Sequence, residues 1–230
     1  MLELRDVHAF YGESHVLHGM SFAVHDGEVV TLIGRNGAGK TTTLRTIMGI
    51  VKARTGSIEL NGVSIRTLSS DRIARRGIGY VPEERGIFST LSVRENLLFP
   101  PILAAGGWSL ERIYDTFPNL KARAGAVGTT LSGGEQQMLA ISRALRSGAR
   151  TILLDEPTEG LAPVIVERIG EIILAMKGEG IAVLLVEQNV RFATGVADRH
   201  HIVVNGRVEQ TLDNAALRSR ESDLLDVLGV

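Results

Sequence analysis

The segment at 29–48 joins an apolar run, a glycine-rich turn and a helix-compatible stretch, and it constrains the fold more than any other. The turn reads GRNGAGKT and fits the phosphate-binding pattern G-x-x-x-x-G-K-[ST] at each fixed position. Such a loop directs backbone amides and the positive end of a helix dipole at phosphate groups. The lysine would neutralise phosphate charge, and the first threonine can bind Mg²⁺. We therefore predict a nucleotide-binding loop formed by Gly34, Arg35, Asn36, Gly37, Ala38, Gly39, Lys40, Thr41 and Thr42.

Short apolar segments alternate with helix-like segments along the chain. The runs at 29–33, 78–81, 151–154 and 182–186 are rich in β-branched residues, which is typical of buried strands. Pro163 suits the first turn of a helix, and apolar residues then recur at helical spacing until Gly178. This alternation predicts an α/β fold with a mainly parallel sheet covered by helices.

Three segments depart from the alternation. The stretches at 56–62 and 202–208 each contain an Asn-Gly pair typical of β-hairpins, and the first, with the N-terminal segment, predicts an antiparallel β subdomain. Residues 89–147 contain no strand-like run and predict short helices. We expect a single domain over residues 1–230, with its core at about 1–88 and 148–230 and an inserted helical subdomain at about 89–147.

The composition argues against several classes of protein. The 25 basic and 26 acidic side chains leave a net charge of −1, which disfavours a nucleic-acid-binding surface. The lack of cysteine excludes disulfides and thiolate metal sites. The first residues lack the pattern of a secretory signal, and no apolar run approaches the roughly 20 residues that span a bilayer. We expect a cytoplasmic protein whose membrane role, if any, depends on a partner.

Two carboxylates follow directly after the apolar run at 151–154. In phosphate-loop enzymes an aspartate at the end of a neighbouring strand holds Mg²⁺, and Asp155 suits that role. Glu156 would then face the terminal phosphate and could polarise an attacking water as a general base.

The motif LSGGE at 131–135 predicts the start of a helix. Ser132 and Glu135 have the spacing of a capping box. An ordinary capped surface helix would explain these two residues, but it would not explain Gly133 and Gly134, because glycine weakens a helix. We infer that this first turn presents its amide hydrogens to an anion.

Along the chain these motifs follow the order phosphate loop, LSGGE, then Asp155-Glu156, and in this order they resemble the ATP-binding cassettes of ABC transporters, whose signature is LSGGE. The resemblance covers nearly the whole chain and implies a P-loop NTPase core, ATP and Mg²⁺ as ligands, and hydrolysis of ATP. It also implies that two cassettes pair head to tail, so that Ser132, Gly133, Gly134 and Glu135 contact nucleotide held by the second subunit. By the same resemblance Tyr11 stacks on adenine, with Val16 packing nearby. The position of Tyr11 alone also fits an ordinary edge-strand aromatic.

The chain departs from the family pattern at positions that bear on catalysis. Glu83 stands where a glutamine is common, and it could bind Mg²⁺ directly or be a surface carboxylate in a mobile loop. Gln188 replaces a frequent histidine; it can donate a hydrogen bond to a phosphate but cannot carry its proton. Glu156 is then the favoured catalytic base, and Gln188 is the second candidate catalytic residue.

Further motifs narrow the subfamily. VPEERGIF at 81–88, GLAP at 160–163 and LLVEQN at 184–189 are most similar to ATP-binding subunits of importers for branched-chain amino acids. Importers of urea or short amides share much of this pattern, and a soluble ABC ATPase acting on DNA or ribosomes is a more distant alternative. The importer resemblance implies transmembrane permease subunits, a second ABC ATPase subunit (identical or sibling), an extracytoplasmic substrate-binding protein and a position on the inner face of the membrane. Ile87 and Phe88 fit either the core or a groove that receives a permease helix.

Overall fold

The computed structural model describes residues 1–219, and residues 220–230 of the predicted core lie outside the described residues. The strands are β1 (Leu2–Tyr11), β2 (Ser14–Val24), β3 (Val29–Ile33), β4 (Ala53–Leu60), β5 (Val63–Ser64), β6 (Ile78–Val81), β7 (Thr151–Asp155), β8 (Ala182–Glu187), β9 (Arg199–Val204) and β10 (Arg207–Asp213). The helices are α1 (Lys40–Ile47), α2 (Ser70–Arg75), α3 (Val93–Leu98), α4 (Leu110–Thr116), α5 (Pro118–Ala122), α6 (Gly133–Arg146), α7 (Pro163–Gly178), α8 (Val190–Val196) and α9 (Asn214–Ser219). A 3₁₀ turn covers Gly128–Thr130.

The larger sheet has the strand order β10-β9-β3-β8-β7-β6, and it is parallel except for the edge strand β10. Every residue of β3, β7 and β8 is buried, because helices or the second sheet cover both faces of the central strands. This double burial explains why these strands are continuous apolar runs rather than alternating ones. The carboxyl ends of β3 and β7 lead directly into the phosphate loop and Glu156, which brings those two segments to one edge of the sheet.

The smaller sheet confirms the predicted antiparallel layer. Its order is β2-β1-β4-β5, and all its pairs are antiparallel. Both predicted Asn-Gly turns are present, and Asn61, Gly62, Asn205 and Gly206 all have positive φ, as a type I′ turn requires. The second hairpin joins β9 to β10 and therefore extends the larger sheet instead.

The segment between β6 and β7 is helical, as predicted. It contains α3 to α6 and the 3₁₀ turn, and Pro100-Pro101 and Gly106-Gly107 lie between α3 and α4. Its apolar side chains share one core with α7 and one face of the larger sheet. Trp108 Nε1 donates a 3.0 Å hydrogen bond to Glu179, at the end of α7, which ties this segment to the rest of the chain. Within residues 1–219, none of the helices combines the length and the apolarity needed to traverse a membrane.

Candidate nucleotide-binding site

The predicted phosphate loop connects the end of β3 to the start of α1, and its glycines are required by geometry. Gly37 and Gly39 have φ values of 80° and 105°, which residues with a Cβ rarely adopt. A Cβ on Gly34 would lie 2.4 Å from the carbonyl oxygen of Val203, so only glycine fits between the loop and β9. The loop is therefore held against the sheet while the amino-terminal end of α1 stays directed toward the cavity that the loop lines.

Lys40 is buried inside this loop. Its Nζ donates hydrogen bonds to the carbonyl oxygens of Gly34 (2.7 Å) and Arg35 (3.2 Å), and it lies 3.6 Å from Oε1 of Glu156. A buried ammonium needs such partners, because desolvation of an unpaired charge is costly. The ammonium is thus fixed at the centre of the site, between the loop and the acidic end of β7.

Asp155 is buried at the end of β7 and is held from two sides. The Thr41 hydroxyl donates to its Oδ1 at 2.9 Å, and the Tyr80 hydroxyl donates to its Oδ2 at 3.1 Å. Burial raises the pKa of Asp155, and the nearby carboxylates of Glu156 and Glu83 raise it further. Burial and Asp155 together raise the pKa of Tyr80, so the phenol remains a hydrogen-bond donor. Tyr80 is a contact that the sequence analysis missed, because nothing in IGYV distinguishes it from a strand residue.

Glu156 adopts a strained backbone conformation and makes specific side-chain contacts. Its φ is 45°, which is unusual for a residue with a side chain. Residues with such backbone conformations are found most often at functional sites. The Gln188 amide nitrogen Nε2 donates to Glu156 Oε2 at 2.7 Å and to Asn36 Oδ1 at 2.9 Å. Gln188 therefore links the phosphate loop to the carboxylate predicted as the base.

A cavity of about 490 Å³ joins these groups. Glu83 and Val16 line it, as does Glu159, a carboxylate that the sequence analysis did not identify as a site residue. Partial desolvation raises the pKa of Glu159, which stays exposed, and its hydrogen bond to Glu156 raises the pKa further. The lining residues are Val16, Asn36, Gly37, Gly39, Lys40, Thr41, Thr42, Glu83, Glu156, Glu159 and Gln188. The loop, one ammonium and several carboxylates thus face one space that can take a polyphosphate together with a cation.

Several predicted residues do not line this cavity. Gly34, Arg35 and Ala38 line a second cavity of about 300 Å³ beside β9, and Asp155 is buried. Tyr11 and the signature residues also lie outside the lining. Tyr11 ends β1 with 46% of its surface exposed. The signature residues lie at the start of α6, where Ser132 and Glu135 form the predicted capping box. A Cβ on Gly134 would lie 3.0 Å from Ile165, so packing alone explains that glycine, which the sequence analysis did not foresee. Gly133 instead lies next to the guanidinium group of Arg85. A Cβ built on Gly133 would lie 3.4 Å from Nη2 of Arg85.

Comparison with known proteins gives a consistent result. The profile of the ABC transporter family matches residues 17–159. The chain is 45% identical over 226 residues to the high-affinity branched-chain amino acid transport ATP-binding protein BraG of Pseudomonas aeruginosa, covering 94% of each chain. It is 36% identical to the probable branched-chain amino acid transport ATP-binding protein LivF of Archaeoglobus fulgidus, covering 90% of each. It is also 38% identical to the lipopolysaccharide export system ATP-binding protein LptB of Escherichia coli, over 86% of this chain and 84% of that protein.

Solved structures agree with the fold. The structure of an ATP-binding subunit of an ABC transporter superposes with a TM-score of 0.81 at 28% identity, covering 100% of this chain and 95% of the other. An ATP-binding cassette solved as a dimer in a post-hydrolysis state, bound to ADP and Pi, also gives 0.81, at 25% identity over 93% and 99% of the two chains. The loop geometry, the sheet order and these matches lead to one conclusion: the chain belongs to the ABC transporter family and is an ATP-binding cassette that hydrolyses ATP.

Proposed function

We propose that this cassette energises the import of branched-chain amino acids through a partner permease. The observation that carries the proposal is the 45% identity to BraG over nearly the whole of both chains, because it extends well beyond the motifs that all cassettes share. We further propose that the chain is one cassette domain, with its core at about 1–88 and 148–230 and a helical subdomain at about 89–147.

Within the site, each side chain has a role that its position supports. The loop amides and Lys40 hold the β- and γ-phosphates of ATP. Val16, a residue of β2, lines one side of the same cavity. Glu156 accepts a hydrogen bond from the attacking water and polarises it toward the γ-phosphorus. Gln188 keeps the Glu156 carboxylate oriented through the 2.7 Å hydrogen bond. The amide cannot take up a proton, so the proton from water goes to Glu156.

The same site fits Mg²⁺ as the cofactor. The Thr41 hydroxyl and the Asp155 carboxylate, 2.9 Å apart, supply the hard oxygen ligands that Mg²⁺ prefers, and Glu83 lines the same cavity. Within residues 1–219 no three His, Cys, Asp or Glu side chains converge as a metal cluster, and this fits an ion that takes its other ligands from phosphate and water. When bound, Mg²⁺ would neutralise charge on the phosphate oxygens.

We propose that a second cassette completes the site. The signature at the start of α6 does not line the cavity of its own chain, so it is free to face nucleotide bound by a partner. The dimeric cassette structure to which this chain is similar supports such a pair. Tyr11, exposed at the end of β1, would contact the adenine ring at the outer side of the site.

The permease would dock on a separate groove of about 380 Å³ between the loop that follows β6 and helix α6. Pro100 and Pro101 line this groove, and nearby in the chain Phe99 and Ile102 are 67% and 64% exposed. Phe88 packs edge to face against Phe99, whereas Ile87 packs against the core. Phe88 therefore belongs to the proposed docking surface and Ile87 does not. An extracytoplasmic binding protein would deliver the substrate, and the cassette would lie on the inner face of the membrane.

ATP-dependent pairing tests the catalytic part of this proposal. Glu156→Gln removes the base and leaves the phosphate loop intact, so it should bind ATP, hydrolyse it about 10²- to 10⁴-fold more slowly and accumulate as a dimer. Sedimentation velocity with ATP and Mg²⁺ measures the dimer, with Lys40→Ala in the same background as the control that cannot hold ATP tightly. Sedimentation as monomers at saturating ATP would contradict pairing between identical chains.

Uptake measurements test the substrate. Cells that lack this chain should take up radiolabelled leucine slowly and recover when wild-type protein is supplied, but not when Glu156→Gln is supplied. Two other outcomes would replace the proposed substrate. Loss of urea or acetamide uptake with normal leucine uptake would favour the amide importers, and a defect in lipopolysaccharide export would favour the activity named for LptB.

A further inference from the structure

Arg85 lies against the signature helix in an unusual way. It belongs to the loop after β6, two residues from Glu83, and its φ of 65° places it in the left-handed region. Its guanidinium atoms lie 3.4–3.6 Å from the position of a Cβ on Gly133, so the group covers the first turn of α6. Arg143 of α6 pins this loop, because its Nη1 donates a 2.5 Å hydrogen bond to the carbonyl oxygen of Gly86. The position of Arg85 is therefore held by strained and anchored backbone.

No residue within the described range 1–219 forms a hydrogen bond or ion pair with the Arg85 side chain. Arg123, on the other side of the same motif, is different: it pairs with Glu135 at 3.3 Å and donates to the carbonyl oxygen of Thr130 at 3.0 Å. Arg123 thus has a structural role in the cap. Arg85 has no such structural partner, although a partly buried guanidinium and a strained backbone both cost free energy. Its side chain also lines the groove proposed for permease docking, so its role in binding nucleotide has to be measured in the absence of a permease.

We propose that Arg85 binds the terminal phosphate of the ATP held by a second copy of this chain. The inference rests on the proposed head-to-tail pair, in which the first turn of α6 faces that phosphate. Amides at a helix start and a guanidinium beside them form a strong anion site, because charge-assisted hydrogen bonds from arginine to phosphate are frequently bidentate. The ligand is a nucleoside triphosphate rather than a diphosphate, because only the triphosphate carries the γ-phosphoryl group that reaches the partner.

The test uses the Glu156→Gln protein as parent and compares Arg85→Gln, Arg85→Lys and Arg94→Gln in that background. Arg94 is an exposed arginine of α3 and serves as the matched control for loss of charge. Sedimentation velocity across a range of ATP concentrations measures dimerisation without any permease. We expect Arg85→Gln to weaken ATP-dependent dimerisation about ten- to hundredfold per site, Arg85→Lys to weaken it less, and Arg94→Gln to match the parent.

A second measurement separates phosphate binding from a folding defect. Binding of ATP to the Arg85→Gln monomer should equal that of the parent, because the phosphate loop of the same chain is unchanged, and the thermal unfolding midpoint should also match. Dimerisation of Arg85→Gln at parental ATP concentrations would overturn the role of Arg85 while leaving the pair intact. Weakened ATP binding by the monomer would also overturn it. A parent that stays monomeric would refute the pair itself.

Discussion

His201 is a buried histidine whose neutral state contributes to the stability of the fold. It lies on β9 with 3% of its surface exposed, beside Phe22. Its Nδ1 is 2.8 Å from the Thr211 hydroxyl, and its Nε2 has no hydrogen-bond partner within residues 1–219. Burial lowers the pKa of His201 from 6.5 to about 4; Arg199 and His200 lower it further, and Glu28 opposes the change.

This lowered pKa predicts a loss of stability in mild acid. Between pH 6.5 and about 4 the unfolded chain binds a proton at His201 that the folded chain does not bind, so the free energy of unfolding falls as the pH falls. The gap between the two pKa values corresponds to about 3 kcal/mol once the pH has reached 4, of which about 2 kcal/mol is already lost at pH 5. Burial also lowers the pKa of His200, which adds to the loss.

Urea denaturation of wild type, His201→Leu and His25→Leu at pH 7.5 and pH 5 tests this reasoning. Leucine removes the titrating group, while Thr211 is exposed and can bond to water instead. Wild type should lose about 2 kcal/mol more than His201→Leu between the two pH values, and His25→Leu, at an exposed site, should behave as wild type. Burial raises the pKa of Asp155 and Glu187, so these two carboxyl groups increase the free energy of unfolding as the pH falls. Their contribution is the same in wild type and His201→Leu, and it cancels when the two proteins are compared. Equal losses in wild type and His201→Leu would refute the assignment.

Two further substitutions test the phosphate loop and its support. Lys40→Ala should weaken ATP binding about ten- to hundredfold, because charge-assisted hydrogen bonds are lost, whereas Lys52→Ala at an exposed position should not; equilibrium titration that finds equal affinities would contradict the loop assignment. Gly206→Ala should lower the unfolding midpoint and weaken ATP binding, because its Cβ would lie 1.9 Å from the carbonyl oxygen of Val16, which lines the cavity. Gly178→Ala, where a Cβ meets no atom within 4 Å, is the control, and equal thermal unfolding of the two variants would show that this close approach is unimportant.

The sequence predicted the elements whose signals are local. The four core strands differ from their predicted bounds by one residue at most, because strands buried on both faces appear as uninterrupted apolar runs. Helix α7 begins at Pro163 and ends at Gly178, as predicted, because proline and glycine act on their immediate neighbours. The detailed pairing of β1 was not predictable. Its register shifts between Leu4 and Val7 in the pair with β2, and only the contacts with its neighbours determine such a shift.

The residues of the candidate site also divide into those that local motifs predicted and those that they did not. The phosphate loop and the carboxylates after β7 are continuous segments, and their motifs predicted them. The contact between Gln188 and Asn36 joins residues 152 positions apart, and no spacing rule connects them. Tyr80 reaches Asp155 only because β6 and β7 are neighbours in the sheet, which the sequence alone does not specify. Long-range pairing therefore separates what could be predicted from what could not.

The charges around the cavity bear on why the proposed function pairs two cassettes. Lys40 is the one cation among the residues that line it within 1–219, whereas Glu83, Glu156 and Glu159 also line it. The raised pKa of Glu159 reflects partial desolvation and then the nearby Glu156. A triphosphate adds several negative charges to this excess, which the loop amides and Lys40 offset only in part. In the proposed function Mg²⁺ at Thr41 and Asp155 would offset more of it, and in the proposed pair the start of the partner's α6 with Arg85 would add further positive charge. On this reasoning closure of the pair depends on the γ-phosphate, since that group is what the partner's positive charge reaches.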